Sequence, residues 1–217
     1  MRERERQRQA GFTLVEIAIV LVIIGLLLGG VLKGQELITQ AKIANITNDL
    51  NSYTSAIYSY QDRFKRLPGD DPGSLRWKFG ATARSETGDG SNSVGGAYKD
   101  SGGSSEASLF WADLRLAGFI PGPTDTKDKA TASPINAAGG ITGVQVSALG
   151  LPGLSVCSGS LPVKIAHAID VKLDDGNALT GSIHALVEGT PPTAVTTAGT
   201  TDYDHNEGKL YVLCKSI

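Results

Sequence analysis

Much of the usual equipment of an enzyme is missing from this chain. Its 217 residues contain two cysteines, one methionine and three histidines, and aromatic side chains make up 6%. There is no G-x-S-x-G elbow, no H-E-x-x-H helix and no phosphate-binding glycine loop. His167, His184 and His205 are scattered, and Asp202-Tyr203-Asp204-His205, the nearest approach to a ligand cluster, reads as a solvated loop. Catalysis is therefore not expected, and neither is a cofactor. A basic excess is also absent: 20 Lys and Arg face 22 Asp and Glu, a formal charge of -2. A chain built to coat nucleic acid needs a strongly basic surface, so nucleic acid is not an expected partner.

Cys157 and Cys214 form neither a CxxC motif nor part of a His-containing metal spacing. A disulfide between them is one reading, two separate buried thiols the other. If paired, they close a loop of about 57 residues, stabilise the fold by about 4 kcal/mol in the chain-entropy model, and require an oxidising compartment.

Charge is also lacking in one particular place. Residues 17 to 32 carry no charged or strongly polar side chain, and the apolar run from Phe12 to Leu32 contains a single charge, Glu16. About 21 such residues suffice to cross a hydrocarbon core as a helix. Arg2, Arg4, Arg6 and Arg8 precede the run against Glu3 and Glu5, which holds the N-terminus in the cytoplasm and sends everything past about Lys33 across the membrane. No A-x-A-like cleavage site follows the run, as an ordinary secretory signal would have.

The boundary between leader and apolar run reads Gly11-Phe12-Thr13-Leu14-Val15-Glu16. This resembles the prepilin signature of type IV pilins and type II secretion pseudopilins. The resemblance implies cleavage after Gly11 by a prepilin peptidase, methylation of the new amine on Phe12, and a role for Glu16 in facing the N-terminal amine of a neighbouring subunit. A carboxylate in a membrane segment costs on the order of 2 to 3 kcal/mol unless it is paired, so Glu16 needs such a reason. The resemblance further implies self-assembly with other pilins into a helical filament, driven by a dedicated ATPase and an inner-membrane assembly platform.

No proline occurs between Phe12 and Leu67. Beyond Lys33 the helix becomes striped, with Ile43, Ile46, Leu50, Tyr53, Ile57, Tyr60, Phe64 and Leu67 in steps of three and four. Pro68 and Gly69 stop it. A helix over that span is roughly 80 Å long, more than one domain needs. Gly25, Gly29, Gly30 and Gly34 permit close helix contacts. Many major pilins have a helix-kinking proline here, and its absence counts against a major subunit.

Four parts are expected: a cleaved leader (1–11), a membrane and filament-core half-helix (12–34), an amphipathic half-helix (35–67) and an α+β head (68–217). In the head, Asp70, Asp71 and Asp89 lie in a glycine-rich loop; they are weak calcium candidates without EF-hand spacing, and no metal is expected. Ser105 to Ala117 predicts a short helix with Gly118 as its stop. A second helix is predicted from Ser160-Leu161-Pro162 to Asp174-Asp175-Gly176, with a strand as the competing reading. Strands are predicted near Ile141 to Leu149, Gly181 to Val187 and Lys209 to Cys214, forming a small antiparallel sheet on which the long helix lies. The expected function is a structural subunit of a type IV pilus-like filament, resident in the inner membrane before extrusion. The alternative is a minor pilin or pseudopilin whose head binds a surface, DNA or a secretion substrate.

Overall fold

The computed structural model describes residues 13–100, 102–189, 199, 201–206 and 208–217. The fold is α+β. Helix α1 (Leu14–Phe64) is followed by a 3-10 turn (Pro72–Arg76), the short hairpin β1 (Lys78–Phe79) and β2 (Thr82–Ala83), helices α2 (Glu106–Leu116) and α3 (Lys127–Thr131), strands β3 (Thr142–Val146) and β4 (Leu154–Pro162), helix α4 (Val163–Leu173), and strands β5 (Ile183–Val187) and β6 (Leu210–Ser216). The chain divides after Ala41 into two compact units, and α1 runs through the division.

In the first unit, α1 is helical because an unbroken apolar run without proline satisfies its backbone internally. No described residue up to Ala41 is buried, although most are large and apolar. In the second unit, the same helix buries Ile43, Ile46, Leu50, Ile57 and Tyr60, while Tyr53, Phe64 and Leu67 pack against the same core half-buried. Every position of the predicted stripe therefore faces the core. The helix ends where Lys65 takes a left-handed conformation (φ 55°) and Pro68 follows.

The main sheet is antiparallel, in the order β3-β4-β6-β5. Along β6, Tyr211 and Leu213 enter the large core shared with α1, α2 and α4, whereas Val212 and Cys214 enter a second cluster with Tyr98, Leu149, Leu151 and Cys157. This alternation is the strand period of two. Cys157 on β4 and Cys214 on β6 are register partners and are joined by a disulfide.

Two expectations need correction. The segment from Ser160 to Pro162 belongs to β4, and helix α4 begins only at Val163. β4 was not foreseen at all before Ser160. It is a central strand buried on both faces from Leu154 to Gly159, so it lacks the alternation that reveals a half-exposed strand. A register shift between Ser158 and Leu161, with Ser160 at φ 56°, bends it just before α4. Strand β3 ends at Val146 rather than Leu149, because Ser147 and Leu149 are left-handed (φ 54° and 51°) and turn the chain.

Candidate functional site

The start of α1 is organised by two side chains. The Thr13 carbonyl accepts the first helical bond from the Ile17 amide, which makes Thr13 the cap residue. The Glu16 amide donates to Thr13 Oγ1 at 3.2 Å, and Glu16 Oε2 accepts both the Thr13 amide and the Thr13 hydroxyl at 2.8 Å. This is a reciprocal capping box, T-x-x-E, and it satisfies two amides that a helix start otherwise leaves orphaned. In the sequence Glu16 stands out for its charge, and the spacing of three from Thr13 also announces this local role. Gly11 and Phe12, the expected cleavage and methylation positions, lie outside the described residues.

Beyond the capping box, Leu14, Leu21, Leu26 and Leu32 are each at least 64% exposed. The helix is long and apolar enough to cross a membrane. A Cβ added at Gly25, Gly29, Gly30 or Gly34 would meet nothing within 4 Å. The protomer's own packing therefore does not require these glycines, each of which costs the helix roughly 1 kcal/mol relative to alanine.

The acidic residues of the head do different work. Asp70, fully buried, accepts the amides of Gly90, Ser91 and Asn92 at 2.7, 3.0 and 2.7 Å. Asp71 accepts the Tyr60 hydroxyl at 2.8 Å, the Gly73 amide at 2.8 Å and an ion pair from Arg76, whose guanidinium lies over the rings of Phe64 and Trp77. It thereby ties the end of α1 to the turn after it. Asp89 accepts the Ser91 amide. Oxygens of Asp70, Asp89 and Glu106 lie within 4.8 Å of one another, a group that Asp71 does not join and in which Glu106 was not foreseen. Glu106 itself accepts the amides of Asp89 and Gly95. Backbone N–H groups thus supply the positive partners of these carboxylates, and the glycine-rich loop is moulded around them.

A second acidic group, Asp170, Asp174 and Asp175, closes the turn after α4. Asp174 accepts the amides of Ser182 and Ile183, and Asp175 those of Asn177 and the Thr180 hydroxyl. The Tyr203 hydroxyl donates to Asp170 at 2.7 Å in the interior, where burial first and then Asp174 and Asp175 raise the Asp170 carboxyl above the usual range. Asp202 holds the amides of Ala178 and Tyr203, and His205 meets the His167 ring edge-on at 5.0 Å. The segment from Asp202 to His205 is a loop with Asp202 and His205 exposed, anchored to α4 through the buried Tyr203.

One buried ion pair was invisible in the sequence. Arg84 and Asp113 have fully buried side chains and pair directly, and Asp113 also accepts the Gly69 amide at 2.7 Å. Gly69 sits at φ 81° against the Glu106 carbonyl, a position no side chain could share. Burial pushes the Asp113 carboxyl up to about 6, against the opposing pull of Arg84 and the Gly69 amide.

Residues 6–32 match the family model of the prokaryotic N-terminal methylation motif, the signature of type IV pilins and pseudopilins. The matched span includes Gly11, Phe12, the Thr13 and Glu16 capping box, and most of the exposed apolar helix. Proteins with this signature are structural subunits, processed by a prepilin peptidase. No curated protein is similar to the chain.

Proposed function

We propose that the chain is a structural subunit of a type IV pilus-like filament, cut after Gly11, methylated on Phe12 and held in the inner membrane by α1 until it is extruded. The observation that carries this reading is the coincidence of the methylation motif with an apolar stretch of α1, up to Ala41, in which no described residue is buried. In water such a surface is unfavourable at about 25 cal/mol per Å². In a bilayer it is at rest, and in a filament it is covered by copies of the same helix. The four glycines that the protomer does not need allow those helices to approach closely. Glu16, buried among neighbouring helices, takes the Phe12 ammonium of an adjacent copy and sets its axial register, since an unpaired charge there is costly. The disulfide suits a head that matures outside the cytoplasm, with the arginine-rich leader left inside.

A low-copy position in such a filament is supported by one feature. Helix α1 runs unbroken from Leu14 to Phe64 without the proline that many major pilins have. In that reading the head meets a surface, DNA or a secreted protein while the helix still packs in the array.

The test is the intact mass and N-terminal sequence of the protein from membranes and from sheared filaments of its native host. N-methylated Phe12 at the start of a chain in the sheared fraction is the expected result, and its abundance separates a major from a low-copy subunit. A chain starting at Met1, or cut beyond Gly34, overturns the proposal in favour of a plain anchor or a secreted domain.

A further inference from the structure

The chemistry of the α1 start goes beyond the charge of Glu16. Its carboxylate is not free in the single chain: Oε2 takes two donors from Thr13, while no hydrogen bond from any described residue reaches Oε1. We infer that Thr13 is the positioning residue for Glu16, folding the carboxylate back over the helix start so that one oxygen is satisfied and the other is presented to the ammonium of a neighbouring copy. This rests on the filament reading above and adds to it a residue and an order of events.

The physical case has three parts. A carboxylate within a membrane helix is tolerated when hydrogen bonds replace its water, and the Thr13 amide and hydroxyl are two such bonds at charge-assisted distance. Glutamate has three side-chain torsions, and the two donors fix the carboxylate plane before a partner arrives, so less freedom is lost on docking. The same contacts leave the box intact after assembly, because an ammonium approaching Oε1 does not compete for Oε2. Thr13 thus lowers the penalty of waiting and preserves a single, directed site for one cation.

The experiment replaces the chromosomal copy in the native host with T13V, T13S and E16Q, and measures the ratio of sheared to membrane-retained chain together with the N-terminal mass. T13V keeps the shape of the side chain and removes its hydroxyl. We expect T13V to be processed and methylated normally yet lowered at least about tenfold in the sheared fraction, because the hydroxyl both donates to Glu16 Oε2 and accepts the Glu16 amide, and the first of these two bonds alone is worth about that factor. T13S, which keeps the hydroxyl, stays within about twofold of the original. If T13V assembles like the original while E16Q is lost, the role of Thr13 is wrong and that of Glu16 stands. If both assemble normally, the reading of Glu16 itself fails. T13S as poor as T13V, or a T13V chain that remains uncut, also overturns the inference, because the hydroxyl would not be acting through Glu16. As an assembly-independent check, amide hydrogen exchange at Thr13 in the mature chain in detergent micelles should speed up about tenfold in E16A; unchanged exchange contradicts the capping box.

Discussion

Replacing Arg84 with methionine is the sharpest perturbation of the head. Arg84 and Asp113 are 29 residues apart in sequence, and both side chains are wholly enclosed. Methionine keeps an apolar side chain of similar length but removes the charge and the guanidinium that lies over the Phe79 ring, so Asp113 keeps the Gly69 amide as its one hydrogen-bond donor among the described residues. Breaking a buried pair in this way costs about 3 to 5 kcal/mol, because the remaining charge has lost its counter-ion and has no water to replace it. That is a large share of the roughly 5 to 15 kcal/mol a domain has in total. For a unit the size of Lys42–Ile217, about 2 to 4 °C is lost per kcal/mol, so the melting temperature should fall by about 6 to 20 °C. The assay is thermal unfolding of the mature chain in detergent, followed by near-ultraviolet circular dichroism of Trp111, which is fully buried on the same helix two residues before Asp113. Lys127→Met serves as the control, since it breaks the half-exposed pair with Glu86 and such pairs are worth only about 0 to 1 kcal/mol. The joint change R84M with D113L should recover part of the loss, because apolar groups of similar size replace a buried pair at little cost. An R84M melting point within about 2 °C of the original, no lower than the control, would refute the argument that this pair is dehydrated.

Removing the disulfide with C157S and C214S together should destabilise the head by about 4 kcal/mol, from the 57-residue separation, read as a lower denaturation midpoint matched by the reduced original chain; coincident curves for oxidised and reduced protein would contradict it. Ile57→Ala, at a fully buried site, should cost about 2 to 5 kcal/mol of head stability, whereas Leu28→Ala, 60% exposed, should leave head unfolding unchanged and reduce the sheared fraction instead. The raised Asp113 carboxyl means that the folded head binds this proton more tightly than the unfolded chain. Its contribution is fully present below about 3.8 and is lost as the pH rises through about 6, so D113N should flatten the stability profile across that window, and an unchanged slope between pH 4 and 6.5 would count against it.

The long helix could be read directly because its signals are local. Every residue from Ile43 to Leu67 that the three-and-four spacing placed on one face lies in or against the core, and the helix stops one residue before Lys65, near the expected Pro68. Helix α2 was equally legible from Ser105 as its cap and Gly118 at its end. Strand β4 was not, since a strand covered on both faces shows no period of two, and its end at Ser160-Leu161-Pro162 also reads as a helix start. The roles of Asp70, Asp71 and Glu106 were hidden for another reason: a glycine-rich segment with carboxylates looks the same in sequence whether the acids face water or organise the loop from within.

The sequence by itself determined which stretch is long and apolar enough to cross a membrane and which residues match the methylation motif. Hydropathy, the Gly11-Phe12 boundary, Glu16 and the amphipathic stripe are properties of neighbours along the chain. Only the tertiary structure decided that Cys157 faces Cys214 across β4 and β6, that Arg84 meets Asp113, and that Asp70 gathers the amides of Gly90, Ser91 and Asn92. Those contacts join residues 20 to 57 positions apart, and their energy comes from exclusion of water by the folded core, which no local pattern encodes.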